Sequence, residues 1–139
     1  MNTQTATRIP AINQPWPEQG GIFIGSRLID GVVHHIVIPG GTEFDHTEVP
    51  FARVELVVAE GDELNGFSDW RAPDQEDLML AFINAREHFM QKGIDSIYWS
   101  RTERSWPWAV DFEIGYTDRY DRYDEFRVRP FRSFPDSSL

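Results

Sequence analysis

Four histidines, one serine in an apolar run and several closely spaced carboxylates are the side chains here that could carry out chemistry. His34 and His35 are adjacent in an extended segment, so they leave opposite faces of a strand and cannot both reach one metal ion. His46 stands among Glu43, Asp45 and Glu48, an oxygen-rich set whose spacing matches no established metal loop. It reads as loop surface, and His88 has no companion ligand in the sequence. Ser100 lies between Trp99 and Arg101 with no sequence-specified base, and reads as a hydrogen-bonding strand residue rather than a nucleophile. Asp111 and Glu113 fall on the outward side of a strand, where solvation accounts for them. There is no Gly-rich phosphate loop, no His-Glu-x-x-His and no Gly-x-Ser-x-Gly. With no cysteine the chain has no thiolate ligand, no disulfide and no sulfur nucleophile. The expectation is a protein that is not an enzyme and carries no cofactor or metal.

Contact chemistry has more support. Between residues 116 and 125, Tyr116, Tyr120 and Tyr123 interleave with Arg119 and Arg122. Tyrosine and arginine anchor contacts at low entropic cost and dominate binding hot spots. Trp106, just upstream, has an amphipathic ring suited to the same use, although tryptophans in an alternating strand are more often core. These six residues are the expected site for a protein or glycan ligand. The alternative is a charged loop whose tyrosines cover the domain's own edge.

The elements that must position this segment run from Tyr98 to Phe134. Trp106, Trp108, Val110, Phe112 and Ile114 alternate with Pro107, Ala109, Asp111 and Glu113, which puts one apolar row on one face of a strand. Phe126, Val128 and Pro130 alternate in the same way with Arg127, Arg129 and Phe131. The pattern predicts a long hairpin of these two strands, linked by residues 116–125 on the surface. Upstream, Ile22 to Gly25 reads as a strand, and Asp30-Gly31 as the turn into a buried strand, Val32 to Ile38. Glu48 to Ala59 suits either structure, and a helix starting near Pro50 is the expectation. Asp74 should cap the clearest helix, with Leu78, Phe82, Ala85 and Phe89 inward, Lys92 near its end and Gly93 as its stop. The order predicts an α+β domain of antiparallel strands with one or two helices. Its parts are an extended proline-punctuated segment at 1–20, one domain at 21–134 and a tail at 135–139.

A formal net charge of -10 disfavours nucleic acid and anionic membrane surfaces as partners. The charge is uneven. Residues 55–97 hold ten acidic and three basic side chains, whereas residues 98–134 hold seven of each. Eight carboxylates between residues 55 and 77, with Arg71 as the only base, would let that face imitate nucleic acid toward a basic protein. No bilayer-spanning apolar run and no signal-like N-terminus are visible, which fits synthesis in a cytoplasm and leaves room for later release in a particle. Strand edges and Trp16 are surfaces that a second copy would cover.

Asp69-Trp70-Arg71-Ala72-Pro73 followed by Glu76-Asp77-Leu78, then Tyr98-Trp99-Ser100-Arg101-Thr102-Glu103, then Arg127-Val128-Arg129-Pro130-Phe131-Arg132, stand in the order of a known motif set. They resemble the DWRLPT, YWSSTE and RVRPVR motifs of the Lcl-type domain, named for the C-terminal domain of a collagen-like adhesin. Trp108, Phe112 and Gly115 resemble that family's intervening strand. The opening, Pro10 to Gly25 with Trp16, is similar to its small stand-alone phage and prophage members. The resemblance implies a C-type-lectin-like fold whose last strands and loops present the ligand surface. Its members are adhesin tips or phage proteins, and such folds often use calcium, although no carboxylate cage appears in this sequence. Adhesin members are implied to bind sulfated polysaccharide, which a charge of -10 opposes. The resemblance leaves open a binding module, a virion structural or decoration protein, and an inhibitor of a host defence protein.

Overall fold

The computed structural model describes residues 8–137. Nine strands form two sheets with two α-helices, an α+β architecture. The first sheet contains β1 (Gln14–Trp16), β2 (Gly21–Ile29), β3 (Val32–Ile38) and β9 (Arg132–Pro135), in that spatial order. Asp30 and Gly31 both have positive φ, 52° and 80°, which a two-residue hairpin turn with the right twist requires. The expected antiparallel β2–β3 pair forms there.

The second sheet orders β4 (His46–Pro50), β8 (Glu125–Val128), β5 (Ile97–Arg104), β6 (Trp106–Asp111) and β7 (Tyr116–Arg119). This topology corrects the expected long hairpin. β6 pairs with β7, the first part of the supposed linker, after a tight turn that ends at Gly115. β8 lies across β5, parallel to it and antiparallel to β4. Gly115 permits the early reversal, since its φ is 77° and a Cβ there would meet the Phe82 ring at 2.5 Å. The alternating row is correspondingly buried only at its centre. Val110 and Phe112 are core, whereas Trp106 at the start of β6 and Ile114 in the turn after β6 are exposed.

Alternation along the strands splits the core into two layers. Val37, Trp99 and Ala109 join Trp16, Phe23, Trp70 and Phe126 in one cluster. Ile36, Ile38, Tyr98 and Val110 join Leu78, Ala81, Ala85 and Phe89 in the other. Helix α1 (Val54–Ala59) follows a 3₁₀ turn at Phe51–Arg53, so helix does begin just after Pro50 while residues 46–50 are strand. Helix α2 (Gln75–Ala85) packs on β2, β5 and β6 and joins the two sheets. Asp74 accepts from the Asp77 N–H, and the Asp77 carboxylate accepts from the Asp74 N–H, closing a capping box.

Helix α2 is shorter than its pattern. It stops at Ala85, not at Gly93, and a 3₁₀ turn at Arg86–His88 drops Phe89 onto Phe112, the rings stacked nearly parallel with centroids 4.2 Å apart. That break also frees the His88 carbonyl to accept from Arg129. At the N-terminal side, Gln14–Trp16 is an edge strand, and Trp16 packs between Phe23, His35 and Phe134. Trp16 is therefore covered largely by its own chain, with 8% of its surface left exposed. No helix among the described residues is long and apolar enough to cross a membrane.

Candidate functional site

The three quoted motifs turn out to be internal wiring. Arg71 exchanges two backbone hydrogen bonds with Phe131, and its guanidinium donates to Asp77 at 2.6 Å. Asp69 accepts from Arg132 at 2.6 Å, and Trp70 donates its indole N–H to the Leu64 carbonyl. Trp99 donates to the Val49 carbonyl at 2.7 Å, fixing β5 to β4 across the buried β8. Ser100 is buried, donates to the Trp108 carbonyl at 2.6 Å and accepts from the Thr102 N–H. That geometry agrees with a structural serine. The Thr102 hydroxyl takes the Gln75 N–H at the start of α2.

Two ionic knots lie beneath. Arg129 is fully buried, stacks over Phe89, and donates to Asp45 at 2.5 Å, to the Gly40 carbonyl and to the His88 carbonyl. Asp45, itself buried, also accepts from Arg127 and from the Tyr98 hydroxyl. Burial, and next the Asp45 charge, push the Tyr98 phenol well above its ordinary range. In the second knot Asp77 accepts from Arg71 and Arg27, and Arg27 also holds Asp74 and Glu76. Burial alone would raise the Asp77 pKa, but the two guanidinium groups and the capping N–H hold it below the usual aspartate value.

These knots change the meaning of the acidic segment. Of its eight carboxylates, Asp69, Asp74, Glu76, Asp77 and Glu60 each have an arginine partner. Glu55, Asp62 and Glu63 remain, all exposed. Four arginines, Arg27, Arg53, Arg71 and Arg132, thus offset part of the segment's charge where it stands.

The histidines remain separate. His34 and His35 point to opposite faces, His34 toward the Val32 carbonyl and His35 into a buried contact with Ser26 and Asp136. His46 lines a cleft of about 290 Å³ with Glu43, Asp45, Asp62 and Trp70, and its burial lowers its pKa. Among the described residues no three potential metal ligands come together.

Five of the six expected contact residues, Trp106, Arg119, Tyr120, Arg122 and Tyr123, gather at one end of the second sheet but not on one surface, whereas Tyr116 stands opposite Asp111 at the other end, beside the Gly115 turn. Cross-strand register places Arg104 opposite Trp106 and Trp108 opposite Arg119. All four share the face that Val110 and Thr117 present to α2, where Gln75 donates to the Thr117 hydroxyl. Tyr116 and Tyr120 alternate to the other face. Tyr116 is 57% exposed there, whereas Tyr120 is half-buried against Phe126 and Trp99. Burial, followed by nearby carboxylates, raises the Tyr120 pKa. Arg122 pairs with Glu103 at 2.7 Å beside a cleft of about 180 Å³ lined by Phe51, Val54 and Arg101. Tyr123 is 83% exposed in the following turn, and Trp106 is 47% exposed.

Arg101 and Arg104 were missed. Both are exposed and, like Arg119, have no charged side-chain partner among the described residues. Nothing in the spacing Arg101-Thr102-Glu103-Arg104 marks them. Their significance appears only after the other arginines are assigned to partners. No family model matches this chain, and no curated protein matches it.

Proposed function

We propose that this protein is a non-enzymatic binding module that holds a protein or glycan ligand at the end of its second sheet. The observation that carries the reading is the coincidence of exposure and freedom at that end. Trp106 and Tyr123 present large aromatic surfaces to solvent there, Arg104 and Arg119 on the face of Trp106 are not held by carboxylates, and Tyr116 adds an exposed ring at the other end of β7. By contrast Phe126 packs on Trp99, and Arg129 and Arg132 stack on rings of the chain itself. Exposed aromatics next to unpaired arginines are what contact hot spots are made of. The motif resemblance supports a finer reading, a C-type-lectin-like domain of the stand-alone phage or prophage kind whose ligand surface lies on its last strands. A site can be grafted on many folds, so the residues carry this argument more than the architecture does.

The test compares wild type with the triple variant Trp106→Ala, Tyr116→Ala, Tyr123→Ala, in capture from bacterial lysate, capture on purified particles and glycan arrays. All three positions are exposed, so each substitution should change stability by no more than about 0.5 kcal/mol, and the triple variant should stay folded while capture is lost. Capture retained by the triple variant would place the site elsewhere.

A further inference from the structure

We propose that this protein forms a two-fold symmetric dimer in which helix α2 lies antiparallel against the same helix of a second copy. The first support is the pattern of the helix. Asp77, Leu78, Ala81 and Ala85 are buried along its inner side, which packs on β2, β5 and β6. At about 100° of rotation per residue, the opposite side belongs to Glu76, Met79, Ile83 and Arg86, spaced three, four and three apart. All four are exposed, Ile83 by 66%. That is the spacing by which one helix meets another, here with apolar residues in the middle and charges at the ends.

Leu80 and Phe82 flank this stripe, one on each side, and the core covers both only in part. A helix with a single buried face would carry polar side chains at positions 79 and 83. This one is apolar on its inner side and again at the centre of its outer side.

The second support is charge, and it identifies the occupant. Arg27 holds the Glu76 Oε1, yet the Glu76 side chain stays 69% exposed. Arg86 stacks over Phe82 and has no carboxylate partner among the described residues. In an antiparallel pair centred on Ala81, residues equally far from Ala81 in the two directions come level with each other. Met79 then meets Ile83 of the second copy, and Glu76 meets its Arg86. Leu80 and Phe82 close the two sides, each beside its own counterpart. The two-fold axis makes each contact twice. A parallel pair would set Glu76 on Glu76 and Arg86 on Arg86, which like charge opposes. The stripe is therefore complementary to itself in one orientation. It is about three turns long, which gives a small, reversible interface.

The experiment is sedimentation equilibrium of the whole chain from about 5 to 500 μM, a range that covers a contact of this size. Wild type should pass from monomer to dimer. Ile83→Glu should associate at least about tenfold more weakly, as should Glu76→Arg and Arg86→Glu taken separately. An equimolar mixture of Glu76→Arg with Arg86→Glu should associate again, because both end contacts of the mixed pair join opposite charges. The chain has no cysteine, so single cysteines report the register directly. Oxidising Met79→Cys together with Ile83→Cys should give more crosslinked dimer than either variant gives alone. Thermal melts report which variants are folded.

A chain still monomeric at about 500 μM would overturn the dimer, and a larger assembly would overturn a closed two-fold pair. Undiminished association of folded Ile83→Glu would place the contact on another face. A mixture no tighter than its separate charge variants, or cysteine variants that crosslink as well alone as together, would overturn the antiparallel register. If Glu76→Arg does not fold, since it also loses Arg27, Ile83→Glu and the cysteine pair decide the question. Trp106, Tyr116 and Tyr123 lie outside α2, so their triple variant should dimerise like wild type whether or not it captures a ligand. Loss of the dimer in that variant, with its fold intact, would overturn the α2 assignment.

Discussion

Arg129→Met isolates what the buried wiring contributes. The substitution keeps an unbranched stem over Phe89 and removes a guanidinium that donates to Asp45, to the Gly40 carbonyl and to the His88 carbonyl. Removing one side of a buried ion pair costs about 3–5 kcal/mol, because the remaining charge is left short of partners. Here Asp45 keeps Arg127 and the Tyr98 hydroxyl, which argues for the lower part of that range. The two carbonyls pull the other way, since each buried acceptor left unmade costs about 1–3 kcal/mol where water cannot reach it. The expected loss is about 4 kcal/mol, a large share of the roughly 5–15 kcal/mol that stabilises a domain.

Urea unfolding should show that loss at unchanged slope, and the melting temperature should fall by roughly 12–20 °C. Combining Arg129→Met with Asp45→Asn removes the stranded charge. The double variant should be more stable than the sum of the two single losses predicts, by about 2 kcal/mol. A loss below about 1.5 kcal/mol for Arg129→Met, or strict additivity in the cycle, would refute the view that this pair is a coupled buried unit.

Three further outcomes follow from named contacts. Asp77 has a lowered pKa, so its contribution to stability is full above the ordinary aspartate value of 3.8 and is lost as pH falls through the folded value. Acid unfolding followed by circular dichroism should therefore be less steep below about pH 4 in Asp77→Asn, which is also less stable at neutral pH. Trp99→Ala should cost about 3–5 kcal/mol because Trp99 is fully buried, whereas Trp106→Ala, in the neighbouring strand, should stay within about 0.5 kcal/mol in the same denaturation assay. Gly115→Ala should destabilise by about 1–3 kcal/mol, since it meets the Phe82 ring at 2.5 Å with φ at 77°.

Local signals were readable wherever one residue type had one physical solution. Asp74 with Asp77 announced a capped helix, and Asp30-Gly31 announced a hairpin. The alternating row from Trp106 to Ile114 announced a strand without saying how much of it the helix would cover. Pairing was not readable. β6 could have met either the segment beginning at Tyr116 or the one at Phe126, since both alternate, and the choice depends on contacts distant in sequence. Phe126 packs on Trp99, and Arg127 with Arg129 reaches Asp45, so β8 is drawn to the far side of β5. The end of α2 escaped notice for a similar reason. Phe89 keeps helical spacing with Ala85, but it is placed by an aromatic stack that belongs to tertiary structure.

The contact surface was half legible because side-chain type is visible in a sequence and availability is not. Tyr120 and Tyr123 look alike at three-residue spacing, yet one packs on Phe126 and the other faces water. The same holds for the arginines. Seven basic groups between residues 98 and 134 match seven acidic ones, which reads as neutrality. In the fold, Arg127 and Arg129 go inward to Asp45, Arg132 reaches back to Asp69, and Arg122 takes Glu103. Those assignments leave Arg104 and Arg119 on the face of Trp106, and Arg101 at the cleft lined by Phe51 and Val54. Whether an arginine is held or left free thus depends on which carboxylates the fold brings to it, and that is decided by tertiary structure rather than by local sequence.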